Sequence, residues 1–584
     1  MRHIHLFALL LTSGLASAQT PDIAGTVLDT SGRPVSGAAV TCGDATGVTD
    51  DQGGFVIRGA TQCTAKITRE GFAPQSAALE SGHPARITLT VAELRERITV
   101  SALRTETTPE EAGVAGTVFT SADLAQRQYP ELATILREVP GLQVTQTGRH
   151  GGTTSVFTRG APSNGTLVML DGMPLNDPGG AFNFATILAG DIDRIEVIRG
   201  PESALFGAEA SGGVIQLFSR HGDPERRTPH LSASYDRGTF QTDHWIGRIS
   251  GGLADRFDYS ANVEQYHTVS EFPNDFYRNT TGALNLGYRL TKQTQLRGIF
   301  RAYDSTVGSP NKVGYGLFDF DARRRDRDYA ALLRVDDVRN SHFVQRFTVG
   351  YHKLRDTFMD DIADGPYRVT ALVHDDGNRV YLDGLIDPRF PPVLGPGYRL
   401  VSRSVTNFAS GEFLSITGRT DVDYQGTLTH TGGSLIFGYE FEREHGLISN
   451  SDVNRDNHGV FVHKQQTIAG RIYLSGGIRM EQNTVFHTKL TARGAASVKL
   501  VRSTFVRFSA ARGITEPSLY QNFVQSPFAV GNPRLRPEKT NSYEAGIVQE
   551  WFGRRVRTEV NLFRSSFHDL IAFVGNSWLN VNES

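Results

Sequence analysis

The sequence predicts a mainly β protein built from a small N-terminal β-sandwich, an α+β domain and a large antiparallel transmembrane β-barrel. Three observations predict this fold class. Short strand-like runs separated by turn signals occupy residues 19–93, helix and strand patterns mix in residues 114–222, and regularly alternating segments fill residues 223–584. A polar stretch, residues 94–113, joins the first part to the second.

The charge balance of the chain excludes one class of partner. The 584 residues include 60 Lys and Arg against 62 Asp and Glu, a formal net charge of −2. A nucleic-acid-binding protein usually carries a clustered basic excess, so we expect no nucleic-acid partner. The 61 glycines are typical of a chain in which tight turns join many strands.

The first 18 residues have the pattern of a secretory signal peptide. Arg2 and His3 form a short polar start, residues 6–15 are mostly apolar, and Ala16-Ser17-Ala18 matches a small-residue cleavage site. We expect cleavage between Ala18 and Gln19. The alternative, a membrane anchor, needs about 20 apolar residues. No long apolar run follows, so any crossing of a membrane must use strands.

Residues 19–93 alternate β-prone runs with Gly, Pro and Asp turns, as in a small β-sandwich. The pattern GTVLDTSGRPVSGAAV (residues 25–40), followed by TDDQGGF (residues 49–55), resembles the carboxypeptidase-regulatory-like (transthyretin-like) domain. This resemblance does not imply a peptidase, because the chain contains no H-E-x-x-H or similar zinc motif. We expect an accessory module.

The two cysteines of the chain, Cys42 and Cys63, both lie in this sandwich region. Export to an oxidising compartment favours a disulfide between them. The alternative is that both are buried as small apolar side chains. Two cysteines without a nearby histidine motif make a poor metal site, and we predict no metal and no other cofactor.

The linker of residues 94–113 contains one β-prone segment, Ile98-Thr99-Val100-Ser101-Ala102. This segment is either one more strand of the sandwich or a free strand that adds to the edge of a partner's sheet. The sequence alone leaves both interpretations open.

Residues 114–222 contain both helix and strand signals. Ser121 is a candidate N-cap for one helix, and Pro130 suits the first turn of a second helix that ends before Pro140-Gly141. Apolar residues at helical spacing lie between these two prolines. Four strand-like runs follow, at residues 154–157, 166–170, 195–198 and 213–218.

From about residue 228 the chain consists of segments that alternate apolar and polar residues. In one example, Leu284, Leu286, Tyr288 and Leu290 share the face opposite Asn285, Gly287 and Arg289. A soluble sandwich also alternates, but about 16 or 17 segments of membrane-strand length favour a closed barrel. The lumen of so large a barrel is too wide for side chains to fill.

Three sequence blocks in residues 114–222 carry the most specific signal. They are LREVPGL (136–142), TRGAPSNGTLVMLDGMPLND (158–177) and IEVIRGPESALFGAEASGGVI (195–215). In this order and spacing they closely resemble the plug domain of TonB-dependent outer-membrane receptors, of the siderophore or cobalamin receptor type. The resemblance covers essentially the whole mature chain, with the sandwich before the plug and the barrel after it.

The resemblance implies two sets of functional residues. The first set matches the TonB box, a segment that lies just before the plug in this family. It consists of Ile98, Thr99, Val100, Ser101 and Ala102. Arg159 and Arg199 match plug arginines that pair with barrel glutamates, and Glu544 matches one such glutamate; Glu440 and Glu442 are lumen-facing alternatives. We call this set the plug–barrel lock. The other interpretation is that these residues are ordinary solvated barrel charges.

The end of the chain departs from the family pattern. Residues 511–519 and 531–538 resemble the late barrel, but the family would continue through several more strands and usually end in an aromatic residue, where this chain has Ser584. We therefore expect a barrel that is incomplete at its C-terminus, from a truncated gene product or a partial record.

The resemblance implies energy-coupled import of a ferric siderophore or cobalamin. In that mechanism the box pairs with TonB, and the ExbB–ExbD motor supplies force that shifts the plug. The implied location is the Gram-negative outer membrane, with the N-terminal domain in the periplasm. The implied state is a monomer in contact with outer-membrane lipid and lipopolysaccharide.

Ligand-binding residues are only weakly indicated by the sequence. Segments at about 303–328, 356–367 and 376–403 have the composition of extracellular loops. The cluster Arg323–Arg327 suits an anionic siderophore, and Asp356, Asp360, Asp361 and Asp364 suit calcium. The alternative is that these charges are simply solvated.

Three other functional classes agree less well with the sequence than import does. A SusC-like glycan importer also has an N-terminal extension and a box but is usually much longer. A passive porin or adhesin barrel has no use for plug blocks. An exported enzyme would need a metal motif, a nucleophile elbow or a paired-carboxylate signature, and the sequence has none of these, so we expect no enzymatic activity.

Overall fold

The computed structural model describes residues 22–43, 45–69, 72, 75–89, 104, 107–108, 113–377, 379–406, 411–501, 503–526, 529–552 and 555–581. The chain divides into two compact units, residues 1–98 and 99–584. The predicted cleavage site at Ala18 and Gln19 and the predicted TonB box, Ile98–Ala102, lie outside the described residues. Among the described residues, no helix combines the length and the apolar character needed to cross a membrane.

The N-terminal unit is a pair of small sheets. Its strands are β1 Ile23–Asp29, β2 Ala39–Cys42, β3 Ala45–Val48, β4 Gly54–Ile57, β5 Gln62–Thr68, β6 Gln75–Glu80 and β7 Ala85–Leu89. The sheet orders are β4-β1-β7 and β3-β2-β5-β6. Alternate residues such as Val27, Val40 and Ile67 are buried in one core, as the two-residue period of a strand requires. A disulfide joins Cys42 to Cys63, whose Cα atoms are 5.9 Å apart.

The second unit begins with an α+β domain, which we call the plug. Its strands are β8 Ala115–Phe119, β9 Leu142–Gln146, β10 Thr154–Thr158, β11 Thr166–Leu170, β12 Met173–Pro174, β13 Ile192–Arg199 and β14 Gly213–Ser219. Its helices are α1 Ser121–Arg127, α2 Leu132–Leu136 and α3 Ser203–Phe206. A five-stranded sheet has the order β12-β11-β14-β13-β8, and β9 pairs with β10.

The start of helix α1 differs by one residue from the sequence prediction. The N-cap is Thr120 rather than Ser121, because Thr120 and Asp123 form a reciprocal capping box, each side chain accepting from the other's backbone N–H. Helix α2 buries Leu132, Ile135 and Leu136 against the plug sheet. The apolar spacing read from the sequence therefore does face the core.

A 15-stranded antiparallel sheet, which we call the barrel sheet, makes up most of the second unit. In sheet order its strands are β15 His230–Arg237, β16 Asp243–Leu253, β17 Phe257–Val269, β18 Phe276–Arg289, β19 Thr294–Gly308, β20 Arg323–Asn340, β21 Phe343–Asp360, β25 Gly411–His430, β26 Gly433–Ile448, β27 Ser451–Ile468, β28 Ile472–Asn483, β29 His487–Val501, β30 Thr504–Thr515, β31 Glu538–Trp551 and β32 Val556–His568. Alternate residues lie on opposite faces: Tyr439 is exposed, whereas Glu440 beside it is buried.

The remaining strands lie at one end of the barrel sheet. They are β22 Tyr367–Asp376, β23 Arg379–Ile386 and β24 Tyr398–Val405, which form one small sheet, and the hairpin β33 Leu570–Val574 with β34 Ser577–Val581. Helix α4, Leu519–Phe523, lies between β30 and β31. The predicted loop at 376–403 is thus largely strand, and fifteen strands pair in the described barrel sheet where the sequence suggested 16 or 17.

The barrel sheet encloses the plug. Arg248 on the second strand of the sheet donates to the carbonyl oxygen of Gly190 at 3.0 Å, and Glu544 on the fourteenth strand accepts from Arg159 at 2.9 Å. A flat sheet would separate these two strands by roughly 60 Å at about 4.8 Å per strand. A domain of about 100 residues has a radius of gyration near 13 Å. The plug can touch both strands only because the sheet curls around it.

The two ends of the barrel sheet differ in their connections. Turns at residues 254–256, 290–293 and 341–342 are short, whereas the opposite ends of the same strands carry the long connections 309–322 and 361–410. In outer-membrane barrels the short turns face the periplasm and the long loops face outward. We use inner end and outer end for these two rims.

Candidate functional site

Arg159 of the plug and Glu544 of strand β31 form a bidentate ion pair. Two guanidinium nitrogens of Arg159 donate to the two carboxylate oxygens of Glu544, each at 2.9 Å. Both side chains are 5% exposed, and the ring of Phe563 packs on the guanidinium with its centroid 4.7 Å away. Arg159 has φ +52° at the turn that ends β10, and this turn directs the side chain toward the wall.

Arg199, the second arginine predicted for the plug–barrel lock, has different partners from those expected. Its guanidinium donates to the carbonyl oxygen of Pro140 at 2.6 Å and, at 3.4 Å each, to those of Ala115 and Gly116. All three acceptors belong to the plug, and burial lowers the pKa of Arg199. Among the contacts of the described residues, Arg199 donates to these backbone carbonyls and not to a barrel carboxylate. Arg199 instead ties β13 to β8 and to the end of helix α2.

Glu440 and Glu442 face the lumen as the alternation predicts, but neither contacts Arg159 or Arg199 in the described contacts. Glu440 accepts from Arg479 of strand β28 at 2.7 Å. Asn457 donates to Glu442 at 3.3 Å. These glutamates therefore belong to a charge network within the wall.

Three further buried ion pairs join the plug to the wall with the opposite polarity. In each, the plug supplies the acid and the wall the arginine: Asp191 with Arg301 at 2.9 Å, Glu202 with Arg493 at 3.2 Å and Glu209 with Arg419 at 2.8 Å. All six side chains are at most 6% exposed. Removing one partner of a buried pair strands the other charge, at a cost of about 3–5 kcal/mol. These pairs therefore fix the plug's position on three sides of the lumen.

Glu202 of this set has a strongly shifted pKa. It is the N-cap residue of the short helix α3 and lies against β29 and β30. Burial raises the pKa of Glu202 from its usual 4.5 to about 7, and the opposing effect of Arg493 is smaller. The attachment of helix α3 to the wall is thus sensitive to pH.

Arg104, just after the predicted TonB box, is anchored to the inner wall. Its guanidinium donates to Asp423 at 2.7 Å and to Glu440 at 3.4 Å, and its carbonyl oxygen accepts from Gln425 at 3.1 Å. The ring centroid of Phe461 lies 4.4 Å from the guanidinium carbon. The Arg104 side chain is 9% exposed. We call this set the Arg104 anchor.

A cavity of about 530 Å³ lies on the outer side of the plug. It is bounded by the plug segment 146–150 and by barrel residues near the outer connections 238–242 and 270–275. His150 hydrogen-bonds Glu131 at 2.9 Å, which raises the pKa of His150. Polar plug side chains and residues near the outer barrel connections thus line one cavity.

A second cavity, of about 780 Å³, lies on the inner side of the plug. Plug residues in and next to the strands of the sheet, including Asp171 and Arg194, form one wall, and Arg297 and Arg334 of the barrel form the other. Arg104 lies at its rim. The plug therefore separates two chambers, and the segment that follows the predicted box closes part of the inner one.

Two carboxylate clusters occur among the described residues. One comprises Glu209, Glu444 and Glu516, and the other Asp319, Asp321 and Asp364. Arg419 and Arg455 lie between the carboxylates of the first cluster. In the second, Asp319 and Asp364 accept backbone N–H groups of residues 320–322. These partners account for both clusters, and we assign no metal to either.

The charged segments predicted as ligand loops are partly strand. Strand β20 begins at Arg323, and Asp356 and Asp360 lie in β21. Arg324 turns into the lumen and pairs with Asp356 at 2.8 Å, while another of its nitrogens donates to Thr153 of the plug at 3.2 Å. Asp361 and Asp364 stay in the connection that follows.

Sequence reasoning missed the Arg104 anchor and the three acidic plug residues. Glu202 and Glu209 stand inside the third plug block, and Arg301, Arg419 and Arg493 occupy lumen-facing positions of alternating segments. The sequence therefore contained a signal for these contacts, because a charged side chain that faces the lumen opposite a plug needs a charged or polar partner. Nothing in the sequence, however, says which acid meets which arginine.

Models of three protein families match the chain in order. The Carboxypeptidase regulatory-like domain matches residues 22–92, the TonB-dependent Receptor Plug Domain residues 108–214, and the TonB dependent receptor-like beta-barrel residues 232–584. The third match alone spans more than half of the chain.

Individual relatives and solved structures agree with these matches. The chain is 24% identical over 507 residues to the Vitamin B12 transporter BtuB of Vibrio vulnificus (strain YJ016), covering 84% of this chain and 74% of that one. To the protein of the same name from strain CMCP6 it is 36% identical over 127 residues, and the match spans only about a fifth of either protein.

Two solved structures share the fold at low sequence identity. One is a mutant of the ferric enterobactin receptor PfeA from Pseudomonas aeruginosa in complex with enterobactin, with a TM-score of 0.61, 17% identity and coverage of 80% and 77% of the two chains. The other is the siderophore receptor PirA from Acinetobacter baumannii, with a TM-score of 0.61, 16% identity and coverage of 78% and 71%.

Proposed function

Because the chain belongs to the TonB-dependent receptor family, we propose that it imports a scarce, bulky ligand across an outer membrane with energy delivered through TonB. The observation that carries this proposal is the plug enclosed by the barrel sheet, with a cavity on each side. An open pore has no use for such a stopper. A stopper held by breakable polar contacts suits a gate that must move.

The outer cavity is the proposed first ligand site. It lies at the end of the barrel that carries the long connections, where outer-membrane barrels meet the medium. Its lining combines an aromatic ring, Tyr277, with the charged residues Arg149, His150 and Glu131. Ligand contact with the plug segment 146–150 and with the outer loops at once would favour a closed, bound state.

The Arg104 anchor links the proposed TonB box to the wall. Ile98–Ala102 are separated from Arg104 by Leu103 alone, so in this proposal the bond from Arg104 to Asp423 restrains the C-terminal side of the box. Release of Arg104 would free the box to pair as a strand with TonB. Force on the box would then pass to the plug through the edge strand β8, which pairs with β13.

The proposed ligand is a ferric siderophore or cobalamin. The relatives matched by sequence are named for vitamin B12, and the structural neighbours are siderophore receptors. Ligands of both classes are large and scarce. Diffusion through an open pore would be too slow for such ligands, so their uptake needs energy-coupled import. No residue of either cavity separates the two classes, so both belong to the proposal.

Location and partners follow from the same proposal. The chain works as a monomer in the Gram-negative outer membrane, in contact with lipid and lipopolysaccharide, with its N-terminal unit in the periplasm. Its protein partner is TonB, driven by ExbB–ExbD. The named relatives are transporters and receptors rather than enzymes, and we assign no catalytic step to this chain.

Uptake in a host that lacks its own cobalamin and siderophore receptors tests the proposal. We expect uptake of labelled cobalamin or of a ferric siderophore in cells with TonB and none in matched cells without TonB. Binding to the purified receptor should not depend on TonB. Equal uptake with and without TonB would indicate a passive barrel, and no binding of either ligand class would overturn the ligand proposal.

A further inference from the structure

The outward face of the barrel sheet carries a compact basic cluster near its outer end. On strand β20 the buried residues are Asp326 and Asp328, so Arg325 and Arg327 between them point away from the lumen. On the neighbouring strand β21, Arg355 lies directly opposite Arg327, and Lys353, the next outward residue toward the inner end, lies opposite Tyr329. We call Arg325, Arg327, Lys353 and Arg355 the outer basic cluster.

The level of this cluster in the barrel wall follows from the residues that lie between it and the inner end. Proceeding toward the inner end, the outward positions of β20 are Tyr329, Ala331, Leu333 and Val335, and those of β21 are Tyr351, Val349 and Phe347. Arg327 is two residues beyond Tyr329, about 7 Å at about 3.3 Å per residue. A ring of aromatic residues marks the level of lipid headgroups on such barrels. The outer basic cluster therefore starts where the apolar surface ends.

The four positive charges of the cluster are balanced only in part, because the neighbouring acids are Asp304 and Glu412. Asp304 on β19 accepts from Arg325 at 2.8 Å and from Arg327 at 3.2 Å. Arg355 has Arg327 and Ile416 as its direct cross-strand neighbours. Like charges directly opposite one another destabilise a sheet. An anion between Arg327 and Arg355 would remove this repulsion.

The side chains also form a concave surface. A cleft of about 160 Å³ is lined by Arg325, Arg327, Arg355, Thr357, Met359 and Glu412. It thus presents three guanidinium groups and a hydroxyl group against one carboxylate. Guanidinium groups bind phosphate oxygens through paired, charge-assisted hydrogen bonds. Directly below the cleft lies the apolar band that acyl chains cover.

We propose that the outer basic cluster binds the phosphate group of a phosphorylated glycolipid of the outer leaflet, whose acyl chains lie along Tyr329 and Leu333. This inference rests on the proposed outer-membrane location and assigns the lipid partner a site on the chain. The cluster lies on the face opposite the lumen, so it acts on the receptor's surroundings and not on the imported ligand.

The full-length receptor purified in detergent and exposed to diphosphorylated lipid A provides the test. The informative variant is Arg327→Gln with Arg355→Gln, and bound lipid is quantified by mass spectrometry of the intact complex. We expect the lipid-to-protein ratio to fall at least tenfold in this double variant. We also expect Arg327→Lys with Arg355→Lys to retain part of the binding, because charge persists without the guanidinium fork.

Arg443 offers a matched control on another sector of the same face. It lies above Tyr439 on β26, is 59% exposed and is already paired with Asp456 at 2.8 Å. Arg443→Gln should leave lipid A binding unchanged. Folding of every variant is checked by the mobility shift between heated and unheated samples in electrophoresis, which a folded barrel shows.

Several outcomes would overturn the proposal. One is equal retention of lipid A by wild type and the glutamine double variant. Another is equal binding of lipid A and its dephosphorylated form. A third is binding of inorganic phosphate with the same affinity as lipid A, which would make the cleft a site for free anions. Ligand uptake by the double variant is measured in parallel. The variant changes no lumen residue, so loss of lipid A binding with normal uptake tests the lipid site separately from the proposed import function.

Discussion

The guanidinium of Arg104 donates to the carboxylate of Asp423 at 2.7 Å, across 319 positions of sequence. One residue belongs to the segment before the plug and the other to strand β25 of the wall. The pair lies at the rim of the inner cavity. A contact of this kind ties the start of the plug to the barrel and must break before the preceding segment can extend.

Arg104→Gln is therefore expected to increase the affinity of the receptor for the isolated C-terminal domain of TonB in the absence of ligand. A hydrogen bond to a charged group contributes about 1.5 kcal/mol, so the affinity should rise on the order of tenfold. Titration of the purified receptor with the TonB domain measures this. Asp423→Asn should act in the same direction and Arg104→Lys less strongly. An unchanged affinity in both neutral variants would show that the anchor does not restrain the box.

The bidentate pair of Arg159 and Glu544 allows a double-mutant cycle. Either Arg159→Gln or Glu544→Gln alone leaves a buried charge without its partner and should lower the free energy of plug unfolding by about 3–5 kcal/mol. The double variant should lose less than the sum of the two. Hydrogen exchange of plug amides in detergent micelles at increasing urea concentration gives the values, because the three tryptophans all lie outside the plug.

A control for this cycle is the more exposed pair of Arg127 and Glu138 on the plug surface, 2.8 Å apart. Arg127→Gln should change the free energy of unfolding by about 1 kcal/mol or less, because solvent screens such pairs. Additive effects of Arg159→Gln and Glu544→Gln would contradict the pairing seen in the structure.

Glu202 predicts a pH dependence of plug stability. Its pKa is about 7 in the folded protein, against a usual value of 4.5, so the folded protein holds a proton that the unfolded chain has released. The contribution of Glu202 to stability should therefore be most favourable below pH 4.5 and fall as the pH rises from about 4.5 to 7, by roughly 3 kcal/mol in total. Glu202→Gln should remove this dependence. Unfolding curves at several pH values measure it, and identical slopes in wild type and variant would refute the assignment.

Val100→Pro tests the proposed TonB box, Ile98–Ala102. Proline removes a backbone N–H that a strand needs to pair with a partner's sheet. We expect uptake to be abolished while ligand binding to whole cells stays at the wild-type level. Thr107→Pro, outside the box, serves as a control for a general effect of proline in the linker. Wild-type uptake by the Val100 variant would eliminate this box assignment.

The sequence predicted the order of the parts and the faces of the strands better than it predicted the site. The two-residue period alone places Glu440 and Arg507 in the lumen, because a strand must alternate its side chains. Arg199 shows the limit of this reasoning. Its position in a plug block suggested a barrel carboxylate as its partner, but three plug carbonyls lie closer.

The missed contacts share a physical cause. Arg104 meets Asp423, and Glu209 meets Arg419, only after the sheet has curled around the plug. Such pairs join residues more than 200 positions apart, and neither local propensity nor spacing encodes which of many lumen charges come together. The segment 376–403 was predicted as a loop because it is rich in Arg, Asp, Gly and Pro. The structure places β23 and most of β24 within it, and both strands pair with β22, whose Val369, Ala371 and Val373 are buried.

The central claim is that the plug sits within the barrel and must move for import, and a reversible cross-link tests it most directly. The hydroxyl oxygens of Ser211 in the plug and Thr515 in the wall are 2.5 Å apart, and both residues are buried. In the variant Ser211→Cys with Thr515→Cys, we predict a spontaneous disulfide, normal ligand binding, loss of uptake, and recovery of uptake after reduction, with reduced wild type as control. Full uptake through a quantitatively cross-linked receptor would contradict the account.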